Sequence, residues 1–413
     1  RVAVIGAGIV GVSCALHLQR DGQDVTLLDP RAPGTATSFG NAGGIVTGAV
    51  VPNSTPALWR DIPRILFDRD SAVRVRWSYL PRIAPWLARF LLAGRHGRVN
   101  AIADALQPLV THAYAAHREL IALAGAEDLV RPLGWLKVFE TETGFAATRY
   151  ERDVMAARGV RYDVLGSDEI RQLEPALAHR FVKGLLQPDS ASVVSPHRLV
   201  QAYAAQFQRL GGTLAQERVR GIQPVEGGVR LDCELGFRAF DAVVVAAGAW
   251  SKELARQVGD RVSLDTERGY HLNIEPGQAG DLRRPVMFPE RGYVLAPMLD
   301  GIRLTSGVEL AGLNAPPDFA RIRRLLPAAR EALPGLSDRV TRQWLGYRPS
   351  TPDSLPVIGR SLRSRAVFYA FGHQHLGLTL GPVTGRLIAA AVADRTPDCD
   401  LTPYRADRFA RIL

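Results

Sequence analysis

Apolar and polar positions at the beginning of the chain follow the pattern of a strand, a helix and a second strand. Residues 2–5 are uniformly apolar, and residues 12–18 form a mostly apolar helical stretch that the polar segment 20–23 ends. Residues 24–29 then form another apolar run that closes on an aspartate. These runs predict a β-α-β unit at the start of the chain.

The same kinds of pattern return in the second half. A helix is predicted from Ser195, with a proline near its first turn, and Gly211 and Gly212 stop it. Strands are predicted at 213–220, 228–235, 240–246 and 366–371, and a further helix at 383–393. The unbroken valines at 243–245 are typical of a strand buried on both faces.

The stretches between these patterns differ from them. Residues 49–189 are mostly helical in pattern and rich in Trp, Arg and Pro, whereas residues 265–343 contain alternating strands. We therefore predict an α/β protein with one discontinuous, Rossmann-like nucleotide-binding domain and one interleaved α+β substrate domain. The predicted extents are 1–48, 190–264 and 344–413 for the first domain, and 49–189 and 265–343 for the second.

The charge and cysteine content of the chain exclude some classes of function. The 413 residues include 51 Lys and Arg against 41 Asp and Glu, and the resulting charge of +10 is spread along the chain. Nucleic acid is therefore not an expected partner, whereas an anionic substrate or weak attraction to an acidic membrane surface fits this charge. Three cysteines without CxxC or metal-ligand spacing indicate neither a disulfide framework nor a zinc site, and a reducing compartment is expected.

No membrane span or signal peptide is expected. The longest uncharged run, 366–385, contains two histidines, a glutamine, a proline and several glycines, which argues against a span. Because the first strand starts at residue 2, we expect native residues to precede residue 1.

The turn after the first strand has the chemistry of a dinucleotide site. Gly6 permits a tight turn, Gly8 lets a pyrophosphate approach the backbone, and Gly11 lets the helix pack on the strand. The N–H groups around Ile9 and Val10 then point at the phosphates. This arrangement predicts a bound dinucleotide.

Asp29 ends the second strand and precedes Pro30. An acid at this distance from the glycine turn is expected to accept hydrogen bonds from the adenosine ribose. The fingerprint serves nicotinamide as well as flavin dinucleotides, so both cofactor classes remain open at this point.

The loop that follows is similar to one found in a known family. Thr37, Ser38, Asn41, Ala42 and Gly43 resemble the Ser-x-x-Asn-Ala-Gly loop of bacterial D-amino-acid dehydrogenases, within the FAD-dependent D-amino-acid oxidase and glycine oxidase superfamily. The resemblance extends over nearly the whole chain and implies the D-amino-acid oxidase type of fold. It also implies that this loop follows the ribityl chain and the flavin ring, where small residues let the backbone come close.

The resemblance implies two further contacts with the adenosine half of FAD. The backbone of Val219 is expected to face the adenine. The turn containing Ala247, Gly248 and Trp250 is expected to close over the adenosine.

The start of the last long helix is expected to meet the pyrimidine edge of the flavin. Its residues Gly377, Leu378 and Thr379 resemble the family loop in which N–H groups and a hydroxyl stabilise negative charge on the ring. No cysteine lies near 373–379, so noncovalent FAD is expected.

Residues 346–359 resemble the family signature whose arginine pairs with the substrate carboxylate, and Arg348 occupies that position. A planar guanidinium suits a carboxylate better than a lysine ammonium does. His375 is expected to shape the pocket near the flavin. No metal is expected, because His373 and His375 lack a third ligand at the usual spacing.

Aromatic residues of the predicted substrate domain are candidates for the pocket wall. Tyr270, His271 and Tyr293 lie in strand-like segments. Ordinary core packing is the alternative for each of them.

The expected activity is FAD-dependent oxidation of a D-amino acid, in which a hydride passes from Cα to flavin N5 and an imino acid results. The D preference rests on the resemblance, and D-proline or a hydroxy-D-proline is a narrower expectation. The alternatives are an oxygen-using glycine, sarcosine or D-amino-acid oxidase, a NAD-dependent enzyme, and a non-catalytic flavin-binding subunit. The flavin loop argues against the NAD-dependent enzyme.

A quinone is the electron acceptor that the resemblance implies. Residues 77–92 mix aromatic, aliphatic and basic side chains as an interfacial helix does, although packing inside the substrate domain explains the same residues and is the favoured interpretation. A cytoplasmic location, peripheral on the inner face of the cell membrane, is therefore expected. The oligomeric state is not indicated.

Overall fold

The structure is a computed structural model that describes residues 1–58, 73–279 and 281–409. The helices of this part are α1 (Ile9–Arg20), α2 (Leu80–Ala93), α3 (His96–Thr111), α4 (Ala113–Ala124), α5 (Glu142–Ala147), α6 (Arg149–Ala156), α7 (Ser167–Leu173), α8 (Pro196–Arg209), α9 (Ser251–Val258), α10 (Ala320–Arg323), α11 (Leu326–Ala332) and α12 (Gly377–Val392).

The strands of the same part are β1 (Val2–Ile5), β2 (Val25–Leu28), β3 (Gly44–Ile45), β4 (Val73–Val75), β5 (Val130–Arg131), β6 (Trp135–Phe139), β7 (Asp163–Gly166), β8 (Lys183–Gln187), β9 (Ala191–Val193), β10 (Thr213–Ala215), β11 (Val219–Val225), β12 (Gly228–Cys233), β13 (Gly236–Phe240), β14 (Ala242–Val245), β15 (Asp265–Ile274), β16 (Val286–Phe288), β17 (Tyr293–Met298), β18 (Gly301–Leu310), β19 (Val340–Ser350), β20 (Val357–Arg360) and β21 (Val367–Phe371).

A six-stranded sheet forms the centre of the nucleotide-binding half. Its order is β10-β2-β1-β14-β21-β20, and neighbours are parallel except for the antiparallel edge pair β20–β21. Val244 faces a core shared with α1, α4, α8 and α12, whereas Val243 and Val245 face a core that includes α9 and the sheet β11-β12-β13. Because both faces are covered, β14 is apolar without alternation.

Two helices pack closely against each other beside this sheet. A Cβ on Gly385 would lie 2.6 Å from the carbonyl oxygen of Ser13, so α12 approaches α1 almost backbone to backbone. Helix α12 begins at Gly377, earlier than the predicted start at 383, and continues through Pro382. By length and composition the stretch Gln374–Val392 could cross a membrane, but most of it is buried in the interior.

The predicted strand 213–220 is two strands in the structure. Strand β10 is at the edge of the six-stranded sheet, while β11 belongs to the three-stranded antiparallel sheet. Because each half pairs with a different sheet, the chain between them leaves the extended path.

A nine-stranded sheet forms the centre of the other half, in the order β19-β15-β18-β17-β16-β6-β8-β7, with β4 beside β18. One face carries a core that includes Leu272 and Leu304 and is covered by α10 and α11. The other face turns toward the nucleotide-binding half, where His271 and Arg303 contact residues 39–41.

Strand β19 crosses the predicted domain boundary at residue 344. It pairs with β15 as far as Ser350, so Arg348 lies in the nine-stranded sheet. The domain boundaries remain predictions. A small sheet of β3, β9 and β5 joins segments from both predicted domains.

Candidate active site

The glycine turn at the start of α1 has no room for side chains. Gly6 has φ +110°, and a Cβ there would lie 2.4 Å from the carbonyl oxygen of Ala246. A Cβ on Gly11 would lie 1.7 Å from the carbonyl oxygen of Gly6. The helix therefore starts directly against the strand end, and its first residues, Ile9 and Val10, line a cavity.

That cavity has a volume of about 700 Å³ and collects most of the predicted cofactor residues. Those that line it are Gly6, Gly8, Ile9, Val10, Asp29, Pro30, Thr37, Ser38, Asn41, Val219, Ala247, Gly248, Trp250, Gly377 and Leu378. They come from three separate parts of the sequence, so the fold brings them together along one groove.

Four predicted cofactor residues do not line the cavity. Gly11 lies behind the turn, and Gly43 is buried, with a Cβ position 2.4 Å from the carbonyl oxygen of Val193. Ala42 is also absent from the lining. The Thr379 hydroxyl donates to the Gly44 carbonyl (3.2 Å) and accepts from the Val46 N–H (3.2 Å), so it ties α12 to β3.

The Asp29 carboxylate is held at the edge of this cavity by backbone donors. Its Oδ2 accepts from the Ala7 N–H (2.9 Å) and its Oδ1 from the Arg31 N–H (2.9 Å). The Arg31 guanidinium lies 5.0 Å from the ring centroid of Trp250. A fixed carboxylate between a turn and an aromatic ring fits a ribose and its base.

Ser38 faces the beginning of α1. Its Oγ accepts from the Ile9 N–H at 3.0 Å, and a Cβ on Gly8 would lie 3.4 Å from the same oxygen. The hydroxyl thus occupies the anion-binding end of the helix beside the cradle that Gly8 leaves open.

Arg348 projects from β19 onto the face of the nine-stranded sheet that looks toward the cavity half. It lies directly opposite Glu267 in the strand register, and a Cβ on Gly269 would fall 2.4 Å from its Nη2. Its Nη1 donates to the Gly307 carbonyl at 3.0 Å. Burial lowers the pKa of Arg348, while the nearby Glu267 carboxylate opposes that shift.

His375 shares this region with Arg348. The imidazole is exposed to solvent, yet burial within the surrounding protein lowers its pKa to about 4, assisted by the positive charges of Arg348 and Lys137. The ring is therefore neutral at neutral pH and lies near two cations.

Arg348 and His375 do not themselves line the cavity, but residues close to each of them in sequence do. Pro349, next to Arg348, lines the cavity, as do Gln374 and Gly377 beside His375. Both residues are therefore adjacent in sequence to the part of the cavity wall near the start of α12.

Tyr270 and Tyr293 belong to the core on the other face of the nine-stranded sheet from Arg348. Tyr270 points into the core on the other face of the sheet, where its hydroxyl donates to Glu309 Oε2 (2.6 Å). Tyr293 is 1% exposed, stacks on Phe288 and donates to the carbonyl of Ala328 (3.1 Å). The structure thus places both tyrosines in packing roles, because strand parity directs them away from Arg348.

His271 has the opposite parity and lies behind the flavin loop. It is fully buried, stacks on Trp344 at 5.0 Å between ring centroids, and its Nδ1 is 3.3 Å from the Gly40 carbonyl oxygen. Burial lowers its pKa to about 3. A carbonyl only accepts, so the neutral ring donates from Nδ1.

Sequence reasoning missed several residues around the site. Glu267 and Arg303 are buried charged residues in strands, and Lys137 lies near His375 while pairing with Glu151. Strand β15 is buried on both faces, so the alternation in its sequence separates the two faces but does not show which buried face carries the charged residues of the site.

Gln374 was also missed, and its backbone conformation marks it. Its φ is +50°, and its amide accepts from Asn53 Nδ2 (2.9 Å) and donates to the Thr351 carbonyl (3.0 Å). These bonds hold the 373–377 turn beside the cavity in a conformation that non-glycine residues rarely adopt.

His373 also lines the cavity, and its ring is within hydrogen-bond distance of α12. Its Nε2 lies 2.9 Å from the Thr384 hydroxyl, and burial lowers its pKa to about 3. In the described part of the chain no group of three His, Cys, Asp or Glu side chains is arranged to hold a metal ion.

A doubly wound sheet with a glycine turn, joined to a second sheet that presents an arginine, defines a dinucleotide-dependent enzyme. Residues 1–391 match the family model described as FAD dependent oxidoreductase (DAO), and the chain belongs to this family. The predicted fold class is thereby confirmed, and FAD is the cofactor.

Individual relatives agree with this assignment. The chain is 37% identical over 420 residues to a D-amino-acid oxidase of Bradyrhizobium diazoefficiens, covering 99% of this chain and 98% of that protein. It is 32% identical to a D-amino acid dehydrogenase of Sinorhizobium medicae, over 99% of this chain and 100% of the other. The crystal structure of glycine oxidase from Geobacillus kaustophilus aligns over 98% of both chains with a TM-score of 0.78 and 23% identity.

The residues in the cavity fit FAD. The glycine cradle and the N–H groups of α1 suit the pyrophosphate, Asp29 suits the adenosine ribose, and the groove continues to the turn at Gln374 and Gly377. The roles of the individual residues stay predictions.

Proposed function

We propose that the chain is a FAD-dependent D-amino-acid dehydrogenase that uses Arg348 to bind the substrate carboxylate. The observation that supports the proposal is that Arg348 projects over Gly269 from the nine-stranded sheet toward the half of the molecule that contains the cavity, which its neighbour Pro349 lines. Both full-length relatives above carry D-amino-acid names, which supports the substrate class.

The protein residues have positioning tasks in this reaction. FAD, when bound, supplies the hydride acceptor. Arg348 offers a planar fork to the carboxylate, with Gly269 beneath it leaving the space that the guanidinium fills. A carboxylate fixed in this way orients Cα, and its orientation selects which hydrogen faces the ring.

The substrate amine must react in its neutral form. His375 does not compete for a proton at neutral pH, because its pKa is lowered to about 4. The amine proton is therefore released to solvent before the reaction, and kcat/KM is expected to rise with pH toward the amine pKa.

Anaerobic mixing of the purified holoprotein with D- and L-amino acids tests the proposal. Bleaching of the flavin absorption by D isomers alone is expected, with D-proline and hydroxy-D-proline included to test the narrower substrate expectation. If no amino acid bleaches the flavin, the proposal fails, and a non-catalytic flavin-binding subunit becomes the better interpretation.

The electron acceptor separates two candidate functions. Our proposal is a quinone, whereas the 37% identical relative named an oxidase favours oxygen as the second candidate. Admitting air to the reduced protein distinguishes them. Recolouring as fast as turnover supports an oxidase, and recolouring only after a soluble quinone is added supports a dehydrogenase.

We further propose a peripheral location on the inner face of the cell membrane. Helix α2 packs inward through Ile83 and Trp86, while Trp77, which precedes it, is 64% exposed. A bulky aromatic beside a partly exposed apolar helix suits the lipid interface. Flotation with anionic vesicles is expected to be weaker for Trp77→Ser than for the wild type, and equal flotation would contradict the proposal.

A further inference from the structure

Three consecutive backbone carbonyls of the loop at residues 37–43 are held by side chains of the nine-stranded sheet. Arg303 Nη1 donates to the carbonyl oxygens of Phe39 (3.0 Å) and Asn41 (2.7 Å). His271 Nδ1 donates to the carbonyl oxygen of Gly40 at 3.3 Å. The sheet that carries Arg348 therefore also holds the loop predicted to contact the flavin.

Arg303 is itself fixed in place. It is 4% exposed, and its Nε donates to Asn273 Oδ1 (3.2 Å), whose Nδ2 in turn donates to Asp300 (2.5 Å). Burial lowers its pKa to about 10, so it keeps its charge at neutral pH. A buried cation directed at two carbonyl oxygens forms charge-assisted hydrogen bonds, which are stronger than neutral ones.

The opposite side of the same loop faces the cofactor cavity. Thr37, Ser38 and Asn41 line the cavity. Gly40, between the two sides, has no space for a side chain, because a Cβ would lie 1.9 Å from the Trp344 ring. Any movement of the loop away from the sheet therefore changes the cavity wall.

We propose that Arg303, assisted by His271, is a positioning residue that sets the conformation of the 37–43 loop against bound FAD. Through this contact the substrate-binding sheet determines cofactor affinity and the environment of the flavin ring. The proposal rests on FAD as the cofactor and on the predicted contact of the loop with the flavin, but not on the identity of the amino acid oxidised.

Three variants test it. Arg303→Met removes both carbonyl contacts, and Arg303→Lys keeps a charge with a shorter reach and no planar fork. Arg342→Met is the matched control, because Arg342 lies 5.3 Å from the Phe39 ring centroid and pairs with Asp300, but its side chain is 51% exposed.

Each apoprotein is titrated with FAD, and the Kd, the visible absorption spectrum and the flavin midpoint potential are measured without substrate. We expect Arg303→Met to raise the FAD Kd about 10- to 100-fold, with altered visible bands and a shifted potential. Arg303→Lys is expected to lie between Arg303→Met and the wild type. Arg342→Met is expected to stay within about twofold of the wild-type Kd.

An unchanged Kd, spectrum and potential in folded Arg303→Met would overturn the proposal. Circular dichroism of the apoproteins establishes folding, and if Arg303→Met does not fold, Arg303→Lys decides by the same three measurements. Since no substrate is added, failure of the D-amino-acid assignment leaves these outcomes interpretable.

Discussion

The surroundings of Arg348 illustrate how single residues define the substrate end of the site. The guanidinium lies over Gly269, and Arg348 is opposite Glu267 in the strand pair. One of its N–H groups donates a hydrogen bond to the Gly307 carbonyl. Burial raises the pKa of Glu267, whereas Arg348 favours its ionised form. This arrangement keeps the arginine charged and oriented before a substrate arrives.

Removing the guanidinium is expected to disable substrate binding. Arg348→Met should lower kcat/KM for the preferred D-amino acid on the order of 100-fold, and Arg348→Lys about tenfold, because lysine keeps the charge but loses the planar fork. Steady-state kinetics and anaerobic flavin reduction measure this. FAD content should stay at the wild-type level in both variants, and an unchanged KM in Arg348→Met would exclude the assigned role.

Gly269→Ala tests the space beneath the guanidinium. The new methyl would meet Arg348 Nη2 at 2.4 Å, and the end of that side chain can move while the backbone stays. We expect KM to rise about tenfold with little change in melting temperature or FAD content. A large loss of stability with unchanged KM would show that the glycine serves the sheet instead.

At the scale of elements, the contact between β1 and α1 is the most tightly constrained. The helix N-terminus, the strand end and the β14 end meet where Gly6 and Gly11 leave out their side chains. The parallel neighbours β2 and β14 bring Asp29 and Ala247 to the same edge of the sheet. The dinucleotide site is thus a property of three adjoining element ends.

Gly11→Ala is expected to damage this contact. Its methyl would lie 1.7 Å from the Gly6 carbonyl oxygen, so α1 must move away from the strand. We expect the free energy of unfolding to fall by about 2–3 kcal/mol or more, and FAD to bind more weakly. Urea unfolding and FAD titration measure the two effects.

Gly97→Ala is the matched control for that substitution. Gly97 also lies in a helix, α3, but a Cβ there has open space around it. The control should be neutral or more stable by up to about 1 kcal/mol. Equal behaviour of the two alanine variants would refute the packing argument.

For the whole molecule, the buried histidines connect stability to pH. His17, His117, His271 and His373 are all buried, and burial lowers their pKa values to about 4, 4, 3 and 3. In the unfolded chain the same groups titrate near the ordinary pKa of about 6.5. The unfolded state therefore binds more protons as the pH falls below that value.

The free energy of unfolding is consequently expected to have its full value above about pH 6.5 and to fall as the pH drops toward 4. Each buried histidine contributes a slope of up to about 1.4 kcal/mol per pH unit in the free energy of unfolding. Urea unfolding at pH 7.5, 6.0 and 5.0 measures the change. Glu174 and Glu267, whose pKa values burial raises, act with the opposite sign.

His117→Gln isolates one histidine from these opposing groups. His117 lies 2.6 Å from the Leu378 carbonyl oxygen and 3.2 Å from the Tyr203 hydroxyl, at the contact of α4, α8 and α12. The variant should show a shallower pH slope by about one proton. The same slope in the variant and the wild type would contradict the linkage.

Some tertiary contacts could not be predicted from the sequence. The alternation of Tyr270, Leu272 and Ile274 with His271 and Asn273 separates the two faces of β15, but the contact of His271 with the 37–43 loop depends on how the nine-stranded sheet packs against the other half. Likewise, helix α12 starts at Gly377, earlier than its apolar pattern indicates, and the Thr379 hydroxyl donates a hydrogen bond to the Gly44 carbonyl of β3.

By itself, the sequence determined the dinucleotide turn, the acidic end of β2 and the doubly buried β14, because glycine spacing and apolar periodicity are short-range signals. Tertiary structure alone decided that Arg348 lies opposite Glu267 and that β19 continues through residue 344. It also decided that Arg303 holds the 37–43 loop. These contacts join residues distant in sequence through strand register and facing direction. No local pattern encodes such pairings when both faces of a sheet are buried.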